Sequence, residues 1–275
     1  MSLFKYIKSS IGILQSLDLA KLGKLAEKVD LNKMIGLVSS MKDEDLQKLI
    51  KFMEGGKRKH EFPEIDTDFY DLHQLLTSEE RAVQLQVREF MQTEIKPIVN
   101  NYWLKDEFPH QIIPQLAKLN ICGLTFEGYG CPGKSSLLEG FLAMEMARVD
   151  CSVSTFFGVQ SGLAMGSIYY CGSEEQKQKW LPPMQKMELI GAFGLTEPEV
   201  GSGVAGGLTC TCKRNGDTWI LNGQKKWIGN ATFSDIVIIW ARDLDDGNVK
   251  GFIVEKGNPG FKAEKIKGKM ALRIV

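Results

Sequence analysis

The chain has 275 residues, 43% of them apolar and 25% charged, enough to bury a substantial core as one large or two ordinary domains. Thirty-four basic residues balance thirty-four acidic ones, so no electrostatic footprint for nucleic acid is present. No apolar run approaches the roughly 20 residues of a bilayer span. The six cysteines (Cys122, Cys131, Cys151, Cys171, Cys210 and Cys212) form no Cys-x-x-Cys pair, and a soluble protein of a reducing compartment, without metal or disulfide, is expected.

In chain order, residues 11–53 carry apolar side chains at helical spacing, from Leu14, Leu17 and Leu22 to Leu49, Ile50 and Met53, which predicts two or three amphipathic helices. Residues 1–60 hold twelve Lys/Arg against seven Asp/Glu. Such a segment fits a helical extension packed on the protein or on a sister subunit, or a face lying on an anionic membrane surface. Gly55 to Pro63 reads as a linker. Thr77-Ser-Glu-Glu80 is a capping-box pattern opening a helix through Val83, Val87 and Phe90 that Pro97 limits. Ser136-Leu-Leu-Glu139 opens a second helix, and Ser173-Glu-Glu-Gln176 a third that is expected to end before Pro182-Pro183.

After about Ile190 the period changes. Leu208–Lys213 and Thr218–Leu221 read as strands joined across Asn215-Gly216, whose residues accept the positive φ of a hairpin turn. Asp235–Arg242, Val249–Glu255 and Phe261–Ile266 follow as strands. The fold class is α+β, with an extension and linker over residues 1–60, an all-helical domain over 61–190 and an antiparallel, barrel-like β domain over 191–275. Cys210 and Cys212 fall on one face of a strand, as two small semi-buried side chains or, less naturally, a ligand pair.

Thr196-Glu-Pro-Glu-Val-Gly-Ser-Gly203 is a polar, turn-rich loop at the junction of the two domains, where ligands are often held. Together with Phe193 to Leu195 and with Lys225-Lys-Trp-Ile-Gly-Asn230, it resembles the flavin-facing runs of acyl-CoA dehydrogenases. Glu107-Phe-Pro109, Gly128-Tyr-Gly-Cys-Pro-Gly133, Ala147-Arg-Val-Asp150, Gly172-Ser-Glu-Glu-Gln-Lys177, Leu221-Asn-Gly-Gln-Lys225 and Lys269-Met-Ala-Leu-Arg273 extend the resemblance from about Asp106 to Val275. They are similar to the branch of glutaryl-CoA dehydrogenase and the plant-type short-chain acyl-CoA oxidase.

The resemblance implies FAD as cofactor, with Phe193, Leu195 and Thr196 lining the flavin and Ser202 meeting both flavin and coenzyme A. It implies Trp227 beside the ring, on a strand that Ile228 and Gly229 continue past N5. It places the catalytic base in a C-terminal helical bundle beyond Val275, so no residue here, Glu197 and Glu199 included, is expected to be the base. Gly229 stands where most dehydrogenases have Thr, which keeps an oxidase reoxidised by dioxygen as the alternative to a dehydrogenase served by an electron-transferring flavoprotein. Ser154 stands where the glutaryl enzyme has an Arg, which implies a short monocarboxylic acyl-CoA substrate. The implied reaction is α,β-dehydrogenation in fatty acid or amino acid catabolism by a homo-oligomer, a homotetramer in the family. The compartment implied is the cytoplasm, or alternatively the mitochondrial matrix or peroxisome. A non-catalytic flavin- or acyl-CoA-binding fragment and a helical interaction protein are the other readings.

Overall fold

The computed structural model describes residues 68–201, 203 and 206–275, together with Lys42, Glu44 and Asp45. The helices expected over residues 11–53 and the linker at 55–63 lie outside the described residues, apart from Glu44 and Asp45, which are helical. The chain divides between Thr67 and Asp68, and the second unit, Asp68–Val275, carries the fold described below.

The helical part begins where the capping box predicts. Helix α1, Ser78–Phe90, starts with the Thr77 hydroxyl accepting from the Glu80 amide at 3.2 Å, while the Glu80 carboxylate accepts from the Thr77 amide at 3.0 Å. It passes into a wide turn at Met91–Ile95 before Pro97 stops it. Short helices α2 (Val99–Lys105) and α3 (Ile113–Lys118) lead to α4, Ser136–Val149. Its cap is Ser135, one residue before the serine the sequence pattern selects, and its hydroxyl accepts from the Leu138 amide at 3.1 Å. Buried Glu145 on α4 accepts two hydrogen bonds from Arg88 and one from Gln84, which fastens α4 to α1.

Asp150 caps α5, Cys151–Gly158, which continues through a wide-turn segment, Val159–Ala164, into α6, Met165–Cys171. Helix α7, Glu174–Gln185, starts at the predicted Ser173 capping box but does not end before Pro182-Pro183. It runs through both prolines because Leu181, Met184 and Gln185 are buried beneath them. The carbonyls that lose their donors belong to Gln178 and Lys179, exposed residues whose backbone water can reach.

The sheet completes an α+β architecture. Strands β1 (Gly191–Gly194), β2 (Thr211–Asn215), β3 (Thr218–Asn222), β4 (Ile236–Asp243) and β5 (Val249–Glu255) join in the order β1-β4-β2-β3, with β5 on β4. Against the antiparallel expectation the sheet is mixed. Strand β4 pairs antiparallel with β5 along its length, while β1 and then β2 pair parallel with it, Gly191 opposite Ile236 and Thr211 opposite Arg242. The long excursion from β1 to β4 permits this, since a parallel neighbour needs a crossover that a hairpin cannot give. The β2–β3 hairpin turns on Gly216 at φ 60°, as Asn215-Gly216 predicts.

Two expected elements are absent among the described residues. Phe261–Ile266 forms no strand; Gly257, Pro259 and Gly260 turn the chain away from β5. Lys225–Gly229 is a loop rather than a strand, with Trp227 in the left-handed region at φ 61°. One core joins the helices to the sheet through Ile236, Ile238 and Ile274, and Cys210, Cys212 and Ala241 form a second small cluster with Trp219, Leu221 and Phe252. No helix among the described residues is long and apolar enough to cross a membrane.

Gly223 closes the passage from β3 into that loop. It sits at φ 150°, and a Cβ there would lie 2.6 Å from Cys210 Cα, a backbone atom that cannot step aside. Gly223→Ala should therefore lower stability by about 2 kcal/mol or more, whereas Gly216→Ala, with open space around it, should cost about 1 kcal/mol. Urea midpoints of the two variants check the order; equal losses would contradict it.

Candidate functional site

Strand β1 delivers the chain to the site, and its placement is set by side chains from three directions. The buried Gln160 amide donates to the Met184 and Leu189 carbonyls (3.0 and 2.9 Å), and its oxygen accepts from the Gly191 amide at 2.5 Å. Buried Asn230 donates to the carbonyls of Phe156 and Gly191, and the Asp235 carboxylate accepts from the Ile190 amide at 2.8 Å. Each bond satisfies a main-chain group that burial would otherwise leave unpaired.

Beyond β1, the loop from Leu195 is held by a carboxylate. Glu197 is 2% exposed. It accepts from the Thr209 amide (2.6 Å), the Thr209 hydroxyl (2.7 Å), the Cys210 amide (2.9 Å) and the Lys225 ammonium (2.8 Å). Lys225 donates again to the Leu195 carbonyl at 3.1 Å, and the next amide, Lys226, donates to the Thr196 carbonyl at 2.8 Å. Burial on its own raises the Glu197 carboxyl, but the Lys225 ammonium, the Thr209 hydroxyl and the two amides outweigh it and bring the group down to about 2. An acid so placed stays ionised and has its lone pairs filled, so it holds the loop and does not act as a base. Burial pushes the neighbouring Cys210 and Cys212 thiols up, which leaves them as small packed side chains.

The sequence-selected residues fall into two groups. Phe193, Leu195 and Thr196 are half-buried on and just after β1, with Phe193 edge-on to Trp240 at 6.2 Å between ring centroids. Trp227 is 69% exposed, and the Lys226 ammonium lies over its ring, 5.2 Å from the centroid. Trp227, Ile228 and Gly229 line an open groove of about 1520 Å³, together with Pro198 from the first loop. A Cβ on Gly229 would lie 3.3 Å from Val159 and 3.6 Å from Val275, so this glycine sits in close packing. Ser202 lies outside the described residues. Ser154, on α5, bonds the Ala143 carbonyl at 3.4 Å; its neighbour Thr155, rather than Ser154, lines the groove.

Two family models cover this architecture: the acyl-CoA dehydrogenase N-terminal domain over residues 77–188 and the acyl-CoA dehydrogenase middle domain over residues 192–275. The chain belongs to the acyl-CoA dehydrogenase family. An acyl-CoA dehydrogenase of Bacillus subtilis is 34% identical over 201 residues, 72% of this chain and 53% of the relative. A short-chain-specific acyl-CoA dehydrogenase of Clostridium acetobutylicum is 33% identical over 202 residues, again 72% and 53%. The crystal structure of a glutaryl-CoA dehydrogenase from Mycobacterium smegmatis in complex with FADH2 superposes with a TM-score of 0.71 at 38% identity, covering 74% of this chain and 52% of that one. The chain spans about half the length of the curated relatives it matches.

In this acyl-CoA dehydrogenase unit, sequence reading gave no role to Glu197, Lys225, Gln160 or Asn230. Glu197 and Lys225 stand inside the selected motifs, yet no spacing rule pairs residues 28 apart in a turn-rich stretch.

The depressed Glu197 carboxyl has a definite sign. Its folded value lies below the ordinary 4.5, so its contribution to stability is present above that pH and is lost as pH falls from 4.5 towards 2. Glu197→Gln should cost about 3 kcal/mol at pH 7, the magnitude expected for breaking a buried pair. Chemical unfolding at pH 7 and at pH 3 should show the gap between variant and wild type narrowing in acid. A gap independent of pH would contradict the assignment.

Proposed function

We propose that residues 68–275 supply the flavin-facing part of an FAD-dependent acyl-CoA dehydrogenase acting on a short-chain, monocarboxylic acyl-CoA thioester. The observation that carries this reading is the convergence of Leu195–Pro198 and Lys225–Gly229, tied by Glu197 and Lys225, at the edge of a groove that presents an exposed tryptophan. A bulky residue held at positive φ with its ring in solvent is costly unless something uses it.

The residues present fit a flavin. Trp227 offers an aromatic face for a planar ring, Thr196 a hydroxyl and an amide for its polar edge, and the groove has room for a dinucleotide. Lys226, Lys262 and Lys265 are exposed, line the same groove and suit phosphate groups. The chemistry FAD supplies when bound is hydride acceptance from the acyl β-carbon. The tasks of this chain are to orient the ring through Trp227, to hold its polar edge through Thr196 and to receive the thioester alongside, with Ser202 as the proposed coenzyme A contact. An electron-transferring flavoprotein is the proposed acceptor, in keeping with the acyl-CoA dehydrogenases to which this chain is similar.

The substrate class rests on α5, where Cys151–Gly158 carries no cation and Ser154 stands in the place of the glutaryl enzyme's Arg. Ser154 itself does not line the groove, so this reading rests on the resemblance and on the absence of a cation from α5.

Titration of the chain with FAD, followed by absorbance, should give saturable binding that Trp227→Ala weakens about tenfold, the equivalent of about 1.4 kcal/mol of lost ring contact. Binding left untouched by that variant would contradict the site. In the native enzyme, butyryl-CoA should reduce the flavin with a specificity constant at least about tenfold above that of glutaryl-CoA, since an unpaired buried carboxylate costs several kcal/mol. Equal constants would contradict the substrate class.

A further inference from the structure

We propose that the Glu197–Lys225 pair is a latch that sets the spacing between the two flavin-facing loops, making both residues positioning residues for cofactor binding. This rests on the flavin reading above and adds to it the device by which the site is held. Four features of the geometry point there.

The pair is among the most enclosed charges described, the Glu197 side chain at 0% and the Lys225 side chain at 8% exposure, so solvent does not weaken it. It connects loops and not helices or strands, the one after β1 with the one after β3. It is reinforced on both sides, since Lys225 also holds the Leu195 carbonyl and Lys226 holds the Thr196 carbonyl, one residue before the carboxylate. It also reaches a third segment, because Glu197 accepts from Thr209 and Cys210, and Cys210 is the residue against which Gly223 is pressed.

The consequence is geometric. Thr196 and Trp227 are each next but one, or closer, to a latched residue. A shift of either loop would change the gap between them, which is the gap a ring must fill. A mere stabilising pair elsewhere in the fold, such as Arg88–Glu145 between α1 and α4, has no such leverage.

The test compares Glu197→Gln/Lys225→Met, which removes both charges at nearly constant volume, with Arg88→Met as a control that breaks a distant buried pair. Folding is checked by circular dichroism and urea unfolding, then FAD affinity and the bound-flavin absorbance band are measured where each protein is folded. Lys225→Arg serves as the conservative rescue.

The latch predicts at least a tenfold loss of FAD affinity and a shifted band in the double variant, a smaller loss in Lys225→Arg, and wild-type affinity in Arg88→Met. Equal losses in the double variant and the control, or wild-type affinity in the double variant, would overturn it. Should wild type itself bind no FAD, the flavin reading fails, and exchange of the Lys226 amide decides the latch separately. Faster exchange in the folded double variant supports the loop clamp, and unchanged exchange overturns it. If the double variant does not fold, Lys225→Arg decides, by weakened binding or by none.

Discussion

A carboxylate removed from water must find other donors, and the organisation of this site follows from how Glu197 finds them. Two amides, a hydroxyl and an ammonium surround it, and these come from Thr209, Cys210 and Lys225, so satisfying one side chain draws two separate stretches of chain onto the loop after β1. Coulombic attraction in an enclosed setting makes the arrangement strong, but its directional hydrogen bonds give it a defined shape. The same requirement explains why Glu197 is unsuited to proton transfer in spite of its place beside the groove.

That cluster would have no fixed position without the helical layer. Gln160, in the wide turn between α5 and α6, spends its entire amide on the backbone around Leu189 and Gly191, and Asn230 ties the far end of the second loop to Phe156 on α5 and to Gly191. Strand β1 is therefore registered against both the helices and β4 before the Thr-Glu-Pro loop begins. The groove inherits a rigid wall on this side, while Trp227 projects from its rim on a residue of constrained backbone.

Much of the fold is legible in the chain because local chemistry decides it. Thr77 and Ser173 announce helix starts through capping boxes, Asn215-Gly216 announces the hairpin, and the apolar run Ile236–Ala241 announces the central strand. Where tertiary packing overrides local preference, the pattern misleads. Helix α7 crosses two prolines because its buried face outweighs two lost bonds, and β1 escapes notice because Gly191-Ala-Phe-Gly194 is short and weakly inclined to strand. Phe261–Ile266 reads as a strand but pairs with none among the described residues after Pro259-Gly260. The motif residues of the site were recognisable by resemblance, whereas its ion pair was not, since only the folded chain brings residues 197 and 225 together.

The central claim is that the loops at Thr196 and Trp227 form two sides of a single flavin site. A crystal structure of the chain grown with FAD tests it most directly. The account predicts the isoalloxazine ring against the Trp227 indole with its polar edge within hydrogen-bond reach of Thr196, and the Glu197–Lys225 pair unbroken behind them. A flavin bound elsewhere, or touching one loop while the other stays in solvent, would contradict it.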